Sequence, residues 1–258
     1  MKWLIASLFP VLCFATPPEE NRLAIGQGIA SPNVTSLVNY SRGFTSENPA
    51  GVLYQQSLRA SVEVARNVDT DTGYEGGYSN KNYGFAVGML KPGCAGCQST
   101  TSVDAGAALG KLAVLGLRYS VTNKIPTYGV GLLFNSTGNH RFGVNADYYT
   151  PVVPNTNTTS VGGGYAYVDK GKTIALEVSK RSYQDPSVTT GNIMIASASF
   201  AKRVDNLAVS ITYEERMSDT AKPNDLLWMG AGFDNDNVQL AVYVNYQQEM
   251  MFVLSGFL

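Results

Sequence analysis

Two cysteines form the motif in this sequence whose spacing most directly points to chemistry. Cys94 and Cys97 enclose two residues in CAGC, a spacing that favours a small loop-stapling disulfide in an oxidising compartment. A redox-active dithiol is the alternative, although no βαβ pattern surrounds the motif. Haem attachment would require a histidine directly after the second cysteine, and Gln98 stands there.

The remaining candidate chemistry is sparse. His140, the single histidine, lies in a predicted turn, and no G-x-S-x-G motif marks a nucleophile for it. The stretch VGGGYAY (161–167) lacks the Lys-Ser/Thr pair of a phosphate-binding loop, so its glycines indicate a bend or a close backbone approach in a strand. We therefore expect no enzyme activity, no metal and no cofactor.

The composition points away from an ordinary soluble domain. Only 15% of the residues are charged, against about 25% in a typical soluble domain. The formal net charge of −1 gives no electrostatic signal for nucleic-acid binding. With 258 residues, the chain is long enough for one large all-β domain.

The first fifteen residues predict export. Met1 and Lys2 provide a positive start, WLIASLFPVLCFA (3–15) is a short apolar core, and Ala15 suits the cleavage position. This core is too short for a spanning helix, which requires about 20 apolar residues. Residues 1–15 are therefore predicted to be a signal peptide.

From residue 52 onward, one strand-like segment follows another and no helical period is found. Joining the second and third segments would give thirteen strands, and a barrel of twelve strands is a further alternative. The predicted segments are 52–66, 70–79, 82–91, 101–110, 111–122, 127–135, 140–150, 158–168, 171–183, 190–203, 206–217, 224–234, 237–246 and 248–258.

The connections between these segments alternate in character. Tight turns such as 204–205 alternate with longer polar links such as 91–100, 151–158 and 184–191. Outer-membrane barrels have short periplasmic turns and longer external loops, and an even strand count returns both termini to the periplasm. The pattern predicts a transmembrane antiparallel β-barrel over residues 52–258, closed by pairing of its first and last strands.

The two faces of the segments agree with a barrel. In 206–217, Leu207, Val209 and Ile211 share one face, whereas the other face is small or polar. A soluble β-sandwich would also alternate, but its outer face would carry more charge. Charged residues on the polar face are predicted to face the lumen: Arg59, Glu63, Arg118, Arg141, Asp147, Glu177 and Glu214.

Residues 16–51 differ from the rest because they are rich in Pro, Ser and Asn and have little periodicity. A fourteen-stranded barrel is wider than an eight-stranded one, which side chains alone fill. This segment could therefore plug the interior, and a loose periplasmic tail is the alternative.

The stretch SENPAGVLY (46–54) joins that segment to the first strand, and it resembles the start of the FadL-type family of outer-membrane transporters for long-chain fatty acids and hydrocarbons. Members of that family carry an N-terminal hatch inside a fourteen-stranded barrel, with Asn-Pro-Ala before the first strand. Asn48, Pro49 and Ala50 match this motif. The resemblance implies that 16–51 is the hatch, that the motif takes part in gating, and that the substrates are hydrophobic.

The expected function is passive transport of small hydrophobic molecules across the bacterial outer membrane. A plugged barrel that does not conduct and offers its loops to a partner is the alternative, and a soluble secreted β-protein is a third possibility. The expected partners are outer-membrane lipid, hydrophobic small molecules and the machinery that assembles outer-membrane barrels.

Overall fold

A computed structural model of the chain describes residues 48–53, 58–66, 70–93, 99–110, 112–122, 124–134, 139–149, 159–169, 172–184, 190–218, 224–234, 238–246 and 250–257. The predicted signal peptide, residues 16–47 of the predicted hatch, and the pair Cys94 and Cys97 lie outside the described residues.

Fourteen antiparallel strands follow one another in chain order around a closed barrel. The ring is completed by β1 and β14, whose register runs from Arg59 opposite Phe257 to Arg66 opposite Met250. The strands are β1 Leu58–Arg66, β2 Thr70–Ser79, β3 Tyr83–Lys91, β4 Thr100–Leu109, β5 Ala113–Thr122, β6 Ile125–Phe134, β7 His140–Tyr149, β8 Thr159–Asp169, β9 Lys172–Gln184, β10 Thr190–Val204, β11 Leu207–Ser218, β12 Asn224–Asp234, β13 Val238–Asn245 and β14 Met250–Phe257.

The prediction of an all-β antiparallel sheet is confirmed, and each predicted segment overlaps one strand. Apart from the start of β1, the predicted boundaries differ from the observed ones by no more than one or two residues. Within the described part of the chain, no helix is long and apolar enough to cross a membrane.

The predicted start of the first strand at residue 52 is wrong. Pro49–Leu53 forms a short 3₁₀ helix, and β1 begins only at Leu58. The backbone N–H of Gly51 donates to the carbonyl of Asn48 at 2.8 Å, and the N–H of Ala50 donates to the Asn48 side-chain oxygen at 3.0 Å. These local bonds close a turn that begins at a proline, whose fixed φ suits the first turn of a helix.

The barrel is apolar outside and polar inside. In β4, Ser102 and Asp104 are buried, whereas Val103 between them is exposed on the outer face. The same alternation recurs in β5, where Arg118 and Ser120 are buried and Tyr119 is exposed. An outer surface of exposed Val, Leu, Ile, Phe and Tyr matches the lipid-facing band of a membrane barrel.

Short connections join the strands at the end of the barrel at which β1 begins and β14 ends. Asn80 accepts the backbone N–H groups of Asn82 at 2.8 Å and Tyr83 at 3.0 Å, an Asx turn between β2 and β3. Gly110 and Asp205 have φ values of +69° and +52° in the links β4–β5 and β10–β11. We call this end of the barrel the short-turn end.

Candidate functional site

Four glycines form a continuous row across the inner wall of β3 to β6. In the strand register, Gly84 lies opposite Gly106, Gly106 opposite Gly116, and Gly116 opposite Gly131. All four are on the buried face of the sheet. Because none has a side chain, the glycine row leaves a shallow groove running across four neighbouring strands.

Residues 48–53, here called the docked segment, occupy this groove at Gly106, Gly116 and Gly131, whereas Ser79 of β2 takes the room at Gly84. A Cβ atom at Gly116 would overlap the backbone of Pro49 and Ala50. At Gly131 a Cβ atom would overlap the side chain of Asn48, and at Gly106 it would lie 2.7 Å from Cγ1 of Val52. The docked segment therefore lies inside the barrel, and its backbone approaches the wall closely because the wall carries glycine at these positions.

The polar anchor of the docked segment is Asn48, which is fully buried. Its amide nitrogen donates to the carbonyl of Leu132 at 3.0 Å and to the carbonyl of Val144 at 3.3 Å, which belong to β6 and β7. Its amide oxygen accepts the N–H of Ala50. A single side chain thus holds the turn of the segment and attaches that turn to two wall strands.

The docked segment is also held by apolar contacts. Its buried apolar side chains form one cluster with wall residues from β3, β5 and β6. The cluster consists of Ala50, Val52, Leu53, Ala86, Val114 and Leu133. Burial of these side chains favours the docked position through the hydrophobic effect.

An ion cluster lies on the same wall, one inward-facing position further along each strand. Arg118 forms a bidentate ion pair with Asp104. Its Nε donates to Oδ1 at 2.9 Å, and its Nη2 donates to Oδ2 at 2.7 Å. Nη1 of Arg118 lies 3.9 Å from Oδ1 of Asp147, across Gly129 of the strand between them. A Cβ at Gly129 would overlap Asp147, so this glycine makes room for the cluster.

The side chains of Arg118, Asp104 and Asp147 have relative exposures of 2% or less. Buried charges are tolerated when they are paired and hydrogen-bonded, as the Arg118–Asp104 pair is. The cluster links β4, β5 and β7 in the wall on which the docked segment rests.

Five of the predicted lumenal charges are buried: Arg118, Arg141, Asp147, Glu177 and Glu214. The structure brings Arg118 and Asp147 together. Glu177 and Glu214 are both register partners of Ser197, one strand to either side. Arg59 and Glu63 occupy β1 opposite Phe257 and Val253, but their side chains lie outside the described residues.

The sequence reasoning missed two further buried carboxylates, Glu75 and Asp104, and the glycine row. Alternation in TSVDAGAAL places Asp104 on the same face as Ser102, so this signal was present in the strand itself. The glycine row had no such signal, because it exists only through the register of four strands.

His140 is the first residue of β7 rather than a turn residue. Its Nδ1 lies 2.8 Å from the hydroxyl of Tyr165, and its ring is 5.2 Å from that of Tyr167. His140 is exposed and the two tyrosines are half-buried, so the three rings form an aromatic cluster at the short-turn end. Among the described residues, no group of three or more His, Cys, Asp or Glu could hold a metal ion.

No protein-family model matches the sequence, and no curated protein matches it significantly. Solved structures do resemble the fold. The toluene transporter TodX of Pseudomonas putida aligns with a TM-score of 0.60 at 9% identity, covering 91% of this chain and 95% of that chain. The CymD monoaromatic hydrocarbon channel aligns with a TM-score of 0.57 at 10% identity, covering 81% and 90%.

A third neighbour is the outer membrane protein Omp33 of Acinetobacter baumannii, with a TM-score of 0.51 at 13% identity, covering 78% of this chain and 96% of that chain. TodX and CymD are FadL-type barrels, so the likeness in fold agrees with the resemblance around Asn48, Pro49 and Ala50. The fold is that of outer-membrane β-barrels, and together with the apolar exterior it supports an outer-membrane location.

Proposed function

We propose that this chain is an outer-membrane channel of FadL type that lets small hydrophobic molecules pass, and that the docked segment closes it. The observation that carries the proposal is the position of residues 48–53 inside the barrel, where they lie against wall glycines and pack with apolar wall side chains. The names of two neighbours of similar fold, a toluene transporter and a monoaromatic hydrocarbon channel, support the substrate class.

In this proposal the Asn-Pro-Ala motif is the attachment point of the gate. Asn48 supplies the hydrogen bonds to the wall, Pro49 sets the turn, and Ala50 is small enough to lie against Gly116. Opening requires breaking the hydrogen bonds of Asn48 and separating a small apolar cluster. Among the described residues, these contacts belong to one polar side chain and one apolar cluster, so their loss leaves the strand pairing of the barrel intact.

The inner wall favours passage over tight binding. Its buried positions carry mainly hydroxyl, amide and charged groups, including Ser102, Ser120 and Asn145. A wall of this kind gives an apolar solute no deep apolar pocket. Because conduction requires that binding be weak enough for release, we propose passive diffusion with low affinity.

A second candidate function is a plugged barrel that does not conduct and presents its loops to a partner. It is favoured by the extent of burial inside: Glu214 is fully buried, and Asp104 and Asp147 are 1% exposed. Side chains buried to this extent do not line an open, water-filled lumen. The two candidates differ in whether release of the docked segment creates a path.

The test measures early uptake of radiolabelled toluene by bacterial cells that express the protein. Whole cells are used because toluene crosses plain phospholipid bilayers unaided, whereas a lipopolysaccharide leaflet slows it. Asn48→Ala removes three hydrogen bonds worth about 0.5–1.5 kcal/mol each, so we expect undocking of the segment and a several-fold rise in uptake.

The matched control is Asn245→Ala, which shortens a buried inner-wall asparagine on β13. Its uptake is expected to equal that of the wild type at equal surface abundance. Uptake no greater than in cells without the protein, for both the wild type and Asn48→Ala, would favour the plugged barrel. Equal uptake by the wild type and Asn48→Ala, both above background, would contradict a gating role for the segment.

A further inference from the structure

Two lysines lie side by side on the outer surface near the short-turn end. Lys172, the first residue of β9, and Lys202, near the end of β10, are direct partners in the strand register. Both are exposed, and they share the outer face because their neighbours Thr173 and Ala201 are buried. We call this the lysine pair.

Among the described residues, the lysine pair has no ion-pair partner. Like charges that lie directly opposite each other on one face of a sheet are destabilising. In the described part of the chain, neither lysine makes a hydrogen bond or an ion pair. Asp169 is the register partner of Lys172 on the other side, but it too forms no ion pair with a described residue. Asp169 is thus the described carboxylate in register with the pair, and it is the partner of Lys172 alone.

The surroundings of the lysine pair are apolar. Two residues along the strands, away from the short-turn end, Ile174 lies opposite Phe200, and both side chains are at least 40% exposed. Two residues in the other direction on β10, Val204 is also exposed. Cationic groups on a lipid-facing surface are unfavourable unless they reach the headgroup level or acquire an anion.

We propose that the lysine pair binds the phosphate of an anionic phospholipid, whose acyl chains lie along Ile174 and Phe200. A phosphate between two ammonium groups removes their repulsion and supplies charge-assisted hydrogen bonds. The exposed apolar pair below it offers the surface that acyl chains cover. The site rests on the barrel lying in a membrane and does not depend on transport through it.

Other lysines on the outer face show what is particular about this pair. Lys91 lies opposite Thr72 on β2, and Lys180 lies opposite Val161 and Met194. Both are exposed at the opposite end of the barrel, and neither faces a second lysine. They form a matched control, because neutralising them changes the net charge by the same amount.

The experiment titrates the purified full chain in detergent with phosphatidylglycerol and counts bound lipid by native mass spectrometry. The variant is Lys172→Gln/Lys202→Gln and the control is Lys91→Gln/Lys180→Gln. Because each lysine near a headgroup contributes about 1 kcal/mol, we expect the variant to bind phosphatidylglycerol roughly 10- to 30-fold more weakly. The control is expected to bind as the wild type does.

Heat-modifiable migration on gels establishes that each variant is folded. Unchanged binding in the variant would overturn the proposal, and so would an equal loss in the variant and the control, which would reveal only diffuse charge attraction. Toluene uptake is expected to be the same in all three proteins. A failure of the lipid site is therefore distinguishable from a failure of the transport proposal.

Discussion

Two parts of the inner wall contain glycines that leave space beside the strands, and this space is filled differently in each part. On β4 to β6, Gly106, Gly116 and Gly131 leave room that the docked segment fills. On β10 to β13, Gly230 also lacks a side chain, but the room is taken by the ring of Tyr243 from the neighbouring strand and by Ser210. Trp228 and Leu226 on β12 are likewise buried inside.

Under the proposed function, this difference assigns the gate to one side of the barrel. A groove filled by the side chains of its own wall is part of the sheet and opens only if the sheet distorts. The groove filled by residues 48–53 is occupied by a separate piece of chain, held by Asn48 and a small apolar cluster. The proposed gating at β3 to β6 would therefore leave the opposite wall unchanged.

The largest expected effect concerns the ion cluster in the wall that carries the docked segment. Arg118→Gln removes the partner of Asp104 and leaves a buried carboxylate without its cation, so we expect a stability loss of about 3–5 kcal/mol. The measurement is equilibrium urea unfolding of the protein folded into liposomes.

The control for this loss is Lys180→Gln, an exposed position on the outer face where surface substitutions change stability by about 0.5 kcal/mol or less. If the two substitutions lower the free energy of unfolding by the same amount, the ion pairs of Arg118 do not stabilise the wall as described.

A smaller effect separates the two walls directly. Gly131→Ala places a Cβ on Asn48, and Gly230→Ala places one on the ring of Tyr243. Overpacking costs about 1–3 kcal/mol at either site, but only Gly131→Ala is expected to displace the docked segment and raise toluene uptake. Gly163→Ala is the control, because its nearest neighbouring atom would be 3.9 Å away.

The measurement is again whole-cell toluene uptake at equal surface abundance. A rise in uptake for Gly230→Ala equal to that for Gly131→Ala would remove the distinction between a movable wall and a fixed one.

Strands and faces were predictable because their signal is local. Alternation along each segment places Asp147 inside and Tyr148 outside without reference to any other strand. The apolar exterior and the polar interior followed from the same alternation together with the low content of charged residues. The boundaries were close because turn residues such as Gly110 and Asp205 mark the ends of strands.

The groove and its occupant were not predictable in this way. The glycine row depends on which residues of four strands lie opposite one another, and a single sequence does not specify that register. The apolar run after Pro49 resembled the start of a strand, yet Asn48 bonds to carbonyls 84 and 96 residues away, which keep this stretch off the sheet ladder. The resemblance around Asn-Pro-Ala identified the motif but did not predict where the motif contacts the inner wall.

The most direct test of the central claim is a cross-link between the docked segment and its wall. In a chain with its native cysteines changed to serine, Val52→Cys/Gly106→Cys joins positions where Cγ1 of Val52 lies 2.7 Å from the place of the new Cβ. Disulfides require Cβ atoms about 3.5–4.5 Å apart, a separation that this pair can meet. We predict rapid disulfide formation in the folded barrel and none for Val52→Cys/Ala208→Cys, which targets the opposite wall. No cross-link to position 106, or an equal one to position 208, would contradict docking on the glycine row.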